Sequence, residues 1–183
     1  QLMNPYYGKD KEESRLSREE AQELVEHLWV KIEEIGQIAV RSFHVIGSGV
    51  TVYTTFTLGG VDENGQDATN DFSLIMVDAS IALQTCQTNL ALRYHPKISY
   101  ELVLKAIDCI RTGIGYPAIF NDRLIIDWLV NRGVPLKLAR NYCIPACVAI
   151  AIPGKNVQNR IVNACLINLA KCFELALNEG RDI

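Results

Sequence analysis

The sequence has no apolar run near the ~18 residues that a membrane-spanning helix needs, so no membrane role is expected. Residues Gln1 to Glu20 are polar and charged and do not read as a secretory leader. Lysine and arginine are not clustered, and the net charge is −3 with a pI near 5.6, which removes the electrostatic footprint of a nucleic-acid binder. No CxxC pair occurs, and no Cys/His group has zinc spacing. His27, His44 and His95 stand apart, none with a partner at ligand spacing, so each reads as an exposed or hydrogen-bonded histidine. Gly47-x-Gly49 and Gly113-x-Gly115 lack the full spacing of a phosphate-binding loop. With these classes set aside, 183 residues of ordinary apolar content describe one domain with its own core. Without a secretory signal, the six cysteines at 86, 109, 143, 147, 165 and 172 fit a reducing cytoplasm, most as small buried hydrophobes.

What is there organises around Ala146-Cys147-Val148-Ala149-Ile150-Ala151-Ile152. Pro145 precedes this stretch and Pro153-Gly154 ends it, so neither end continues as helix. Surface loops are usually polar; this one is apolar and predicts an inward-pointing loop that carries the Cys147 thiol. No charged side chain stands within five residues of Cys147 on either side. A nucleophilic thiolate needs such a neighbour. Cys147 therefore reads as a thiol that works without ionising, as a hydrogen-atom carrier, or as a structural cysteine. Cys143-x-x-x-Cys147 begins like a radical SAM cluster motif, but the third cysteine would fall at Ile150.

Around that loop the chain alternates strands and helices. Asn4 to Gly8 reads as a turn. Ser17 and Glu20 form a capping box for a helix over 18–35, with apolar residues at helical spacing and Gly36 as its stop. Val50 to Leu58 is β-branched and aromatic and predicts a strand ended by Gly59-Gly60. Thr69 or Asn70 caps a helix to Leu83, Asn89 to Tyr94 reads as a second strand, and Ser99 caps a helix to Ile110. Tyr116 to Phe120 is a third extended run. Helices follow over 121–130 and 135–141, and a last one starts at Asn156 or Asn159 with Leu169, Phe173 and Leu177 facing inward. Three βα units predict an α/β fold with a parallel sheet or barrel, in which chemistry sits at the C-terminal strand ends, here Leu58-Gly59-Gly60, Arg93-Tyr94-His95 and Phe120-Asn121-Asp122. Three strands cannot close a barrel. The chain starts with Gln and stops just as a helix ends, so residues 1–183 read as a single incomplete domain cut from a longer protein.

Ordered motifs then narrow the class. Tyr7-Gly8-Lys9-Asp10 with Ser14-Arg15-Leu16-Ser17, Leu58-Gly59-Gly60-Val61 through Gly65 and Asp67-Ala68-Thr69-Asn70, and Gly115-Tyr116-Pro117 through Phe120-Asn121-Asp122 occur in that order. Arg132-Gly133-Val134-Pro135 with Ala139-Arg140, the Cys147 loop, and Glu174-Leu175-Ala176-Leu177-Asn178 with Gly180 follow. Together they resemble the glycyl radical enzymes: pyruvate formate-lyase, the diol dehydratases, the choline and isethionate lyases, the arylacetate decarboxylases and the alkylsuccinate synthases. The resemblance implies a glycyl-radical-type α/β barrel. In it, Cys147 becomes a thiyl radical that takes a hydrogen atom from a small organic substrate.

The resemblance further implies a glycine radical stored in an "R-V-x-G-Y" motif, installed by a radical SAM activase, in a homodimer of an anaerobic cytoplasm. No such motif occurs in the chain, so the glycyl radical domain is absent from it and no metal or cofactor is expected on it. By the same resemblance, the strand around Tyr53 and Phe56 lines the substrate pocket, although ordinary packing explains both rings as well. Two departures bear on the reaction. The Glu of the family's "G-C-V-E-P" loop is Ala149 here, which removes a general base for elimination and favours radical addition to an alkene such as fumarate. The residue before Cys147 is Ala146, not the second cysteine of pyruvate formate-lyase. A lyase reaction (dehydration, decarboxylation or C–N or C–S cleavage) and a non-catalytic fragment are the alternatives.

Overall fold

A computed structural model describes residues 2–35, 54–85, 88–145, 148–157 and 167–182. The lead-in is helical where a turn was expected: α1 runs Asn4–Glu12. Pro5 lies in its first turn, where a missing N–H costs nothing, so the proline that suggests a turn is compatible with a helix start. Helix α2, Arg18–Ile35, opens with the expected capping box. The Glu20 amide donates to Ser17 Oγ at 3.1 Å and the Ser17 amide to the Glu20 carboxylate at 2.8 Å.

Strand β1 is Thr54–Gly59, helix α3 Asp71–Leu83, strand β2 Thr88–Tyr94, helix α4 Tyr100–Arg111 and strand β3 Ala118–Asn121. The strands form one parallel sheet in the order β1-β2-β3, with Leu58 beside Leu92 and Leu92 beside Ile119. This is the βα arrangement that the alternating pattern predicts. Asn70 caps α3, its side chain accepting from the Ser73 amide at 3.0 Å. Helix α5, Asp122–Val130, is capped by Asn121. Helix α6, Leu136–Ala139, is a single turn after Pro135.

Side chains alternate across the sheet, so its two faces see different cores. Phe56, Leu58, Leu90 and Leu92 pack on the helices of α1 to α4, around the fully buried Trp29, Ile75 and Leu102. Each such aliphatic side chain contributes about 1.5–3 kcal/mol by leaving water. The Trp29 indole is buried without an orphan donor, because its N–H reaches Ser80 Oγ at 2.9 Å. Asp71 ties α1 to α3: Lys11 and Tyr7 both donate to it, and Lys11 above all holds its carboxyl below the usual range. On the other face, Ala91 meets Ile126 and Leu129 of α5 together with Tyr142, Ile144 and Ile152.

After α6 the sequence expectation needs correction. Strands β4, Ala151–Ile152, and β5, Asn156–Val157, form a small antiparallel ribbon, so Asn156 does not begin a helix. Pro153-Gly154 makes its turn, with Gly154 at φ +70°. The last helix, α7, is Leu169–Leu177, started by Asn168. Its Leu169, Phe173 and Leu177 are exposed, not inward-facing: periodicity finds the apolar stripe but cannot say whether a partner lies within the same segment. Among the described residues, no helix is long and apolar enough to cross a membrane.

Candidate active site

The C-terminal ends of β1, β2 and β3 converge on one buried ion pair. Arg93, next to last in β2, donates from Nε to Asp122 Oδ1 at 2.8 Å. Their side chains are 5% and 1% exposed, so water screens neither charge. Asp122 is the first residue of α5, where the helix dipole favours an anion, and its other oxygen accepts from the Val61 amide at 3.2 Å. The remaining Arg93 nitrogens donate to two backbone carbonyls: Nη1 to Tyr142 at 2.9 Å and Nη2 to Arg140 at 2.8 Å. The guanidinium also lies 4.0 Å from the centre of the Tyr142 ring.

Arg93 thereby lashes the segment 140–142 to the sheet. Thr57 of β1 continues the lashing, since its Oγ1 accepts from the Ile144 amide at 2.9 Å. The next anchor closes a loop. Cys143 and Ala151 exchange both backbone hydrogen bonds, N to O at 2.8 and 3.0 Å. The stretch of sequence between them thus has its feet joined, and Ile144 and Ile152 at those feet pack on the face of the sheet opposite the main helices. Cys147 belongs to that stretch of sequence and itself lies outside the described residues. A cavity of about 130 Å³ opens where Thr57, Gly59, Arg93, Tyr142 and Cys143 meet. Burial pushes the Cys143 thiol up, against the pull of Arg93, and pushes the Tyr142 phenol up as well. Both remain protonated at neutral pH, so Cys143 is a thiol and not a thiolate.

The glycine pair ending β1 makes room for the ion pair. Gly60 sits at φ +77°, and its amide donates to the Arg93 carbonyl at 2.8 Å. A Cβ there would come within 2.5 Å of Arg93 Cζ, which is held on three sides. Gly60→Ala is therefore expected to cost about 2–4 kcal/mol, through the left-handed backbone and the displaced guanidinium. Chemical denaturation of the full-length protein checks this.

Of the expected pocket aromatics, Phe56 turns away from the loop: its ring lies 4.9 Å from Trp29 on the helix side. Tyr53 lies outside the described residues. His95 is the hydrogen-bonded histidine its sequence suggests. It is buried, with Nε2 3.1 Å from Asp67, whose carboxylate also holds the Thr69 and Ser99 amides. Arg93 and Asp122 stand at the strand ends to which the sequence points, although it gives neither a task. Sequence reading missed Thr57, which carries no such mark.

The whole chain, residues 1–183, matches the family model described as pyruvate formate lyase-like. The chain belongs to that family, the glycyl radical enzymes. It is 33% identical to the (2S)-3-sulfopropanediol dehydratase of Klebsiella oxytoca, over 100% of this chain and 22% of that protein. It is 31% identical to the indoleacetate decarboxylase of Tractidigestivibacter scatoligenes, over 99% of this chain and 21% of that protein. Among solved structures, one that describes 1,2-propanediol dehydration in Roseburia inulinivorans superposes with a TM-score of 0.83 at 36% identity, covering 100% of this chain and 23% of that one. The chain thus spans less than a quarter of these relatives' length. Its α/β architecture is that of glycyl radical enzymes.

Proposed function

We propose that this chain supplies the hydrogen-abstracting cysteine of a glycyl radical lyase acting on a small organic substrate. The observation that carries this reading is the set of anchors that flank Cys147 in sequence. Thr57 and Arg93 tie residues 140–144 to the strand ends and Cys143 bridges to Ala151, in a family whose relatives include a dehydratase and a decarboxylase. A glycyl radical elsewhere in the full-length protein, made by a radical SAM activase, takes the hydrogen from Cys147. The thiyl radical then breaks a substrate C–H bond and recovers that hydrogen as S–H. The substrate radical eliminates or loses a carboxylate, and the product radical takes the hydrogen back. The scheme needs no thiolate, in keeping with a sequence that places no charged side chain within five residues of Cys147. Tyr53 is the remaining candidate for an aromatic contact to substrate, Phe56 being occupied by Trp29. A cytoplasmic homodimer is part of the same proposal.

One residue favours a second reading. Ala149 cannot take a proton, so radical addition to an alkene such as fumarate, which needs no base there, is the alternative. Full-length protein incubated anaerobically with activase and S-adenosylmethionine is expected to give a glycine-centred doublet in electron paramagnetic resonance. It is then expected to convert a diol, sulfonate or arylacetate substrate to a cleaved product. An adduct with fumarate and no cleavage would establish the alternative. Absence of any radical from folded protein would sink both.

A further inference from the structure

We propose that Thr57 and Arg93 are positioning residues for Cys147, and that they set how far its sulfur reaches. The proposal rests on the assignment of Cys147 as hydrogen-atom carrier. Neighbouring strands β1 and β2 present Thr57 and Arg93 to the same chain segment. Between them they hold three alternate residues of it by the backbone: the Arg140 and Tyr142 carbonyls and the Ile144 amide. Backbone contacts of this kind fix where a segment lies whatever side chains it carries. Ile144 is three residues before Cys147, and Ala151, held by Cys143, is four residues after it.

Hydrogen-atom transfer is short-range, so a shift of about 1 Å at a reacting atom costs about 100-fold in rate. The same shift costs substrate binding little if other residues make the binding contacts. Thr57 is only half-buried and Arg93 is engaged with Asp122, so neither is needed to bind substrate in order to matter. Asp122 supports the arrangement by holding Arg93 in place.

The test uses full-length protein, activated anaerobically, with glycyl radical counted by electron paramagnetic resonance. Thr57→Val keeps the shape and removes the acceptor for the Ile144 amide. It is expected to carry the wild-type number of spins per protein, to lose about 10-fold or more in kcat and to leave KM within about twofold. Thr57→Ser restores the hydroxyl and is expected to recover most of kcat. Arg93→Lys keeps a cation beside Asp122 but cannot reach both carbonyls, and is expected to follow Thr57→Val. Wild-type kcat in Thr57→Val at equal spin content would overturn the proposal. So would a fall in spins and kcat in equal proportion, which would make Thr57 a folding residue only, or a loss that serine fails to recover. Turnover by Cys147→Ser, or no doublet from the folded wild type, would instead overturn the reading of Cys147 and this proposal with it.

Discussion

In the full-length protein, Cys147→Ser is expected to lose turnover by about 10⁴-fold or more while the glycine-centred radical still forms. Serine is nearly isosteric with cysteine, and the flanking residues 143, 144 and 151 are held through backbone atoms that the substitution does not touch. What changes is the bond that must be broken. The O–H bond of an alcohol is far stronger than the S–H bond of a thiol, so a glycyl radical cannot take hydrogen from serine. The chemistry stops before substrate is touched. Activation by the activase acts on the glycine and not on this loop, so the doublet persists. Counting spins and product in one sample separates the two steps. Undiminished turnover would return Cys147 to the structural role that its apolar surroundings also allow, and a lost radical would show that the substitution disturbs folding instead. The neighbouring Cys143 does not take over as a thiolate, because burial shifts it upward against the pull of Arg93.

The parts of this arrangement that sequence can show are those written in single-residue chemistry. The capping box at Ser17 and Glu20, the cap at Asn70, the β-branched run of β1 and the prolines bracketing the Cys147 loop each act through neighbours a few residues away. Pattern reading therefore recovers the βα order and the parallel sheet. Helix α1 escaped because a proline and a glycine in its first turns look like turn chemistry, and its tether to Asp71 lies 60 residues away. The ribbon β4–β5 escaped because a two-residue strand has no periodicity to detect. At the site, motif order singled out Cys147 and the strand ends pointed to Arg93 and Asp122, but not to the segment that they hold. Thr57 and Ile144 are 87 residues apart, and Arg93 and Tyr142 are 49 apart. Position at a strand end marks Arg93, but its task shows only with the carboxylate of Asp122 and two carbonyls around it. Periodicity also placed Phe56 no better than its neighbour. Only the sheet's two unlike faces decide that Phe56 goes to Trp29 and Thr57 to the loop.

Asp122→Ala in the full-length protein is expected to destabilise the domain by about 3–5 kcal/mol, the second large effect. The loss is larger than one hydrogen bond because of what remains. Arg93 would keep its charge in a site where its side chain is 5% exposed, with no anion to offset it. The Val61 amide would lose its acceptor as well. Arg93→Met leaves the mirror-image problem, a carboxylate buried at 1% exposure with its cation gone, beside the α5 dipole and the Val61 amide. A double substitution, Arg93→Met with Asp122→Leu, removes both charges and fills the space with apolar side chains. Buried pairs replaced in this way commonly regain most of the stability. Denaturation midpoints are therefore expected to be low for each single variant and to return most of the way for the double one. Turnover is expected not to return, since methionine cannot donate to the Tyr142 and Arg140 carbonyls. A double variant that is stable and inactive would separate holding the fold together from holding the loop in place. Single variants costing under about 1 kcal/mol would mean that the pair is better hydrated than its burial implies, and the anchoring of the loop would then rest on Thr57 and the Cys143–Ala151 bridge.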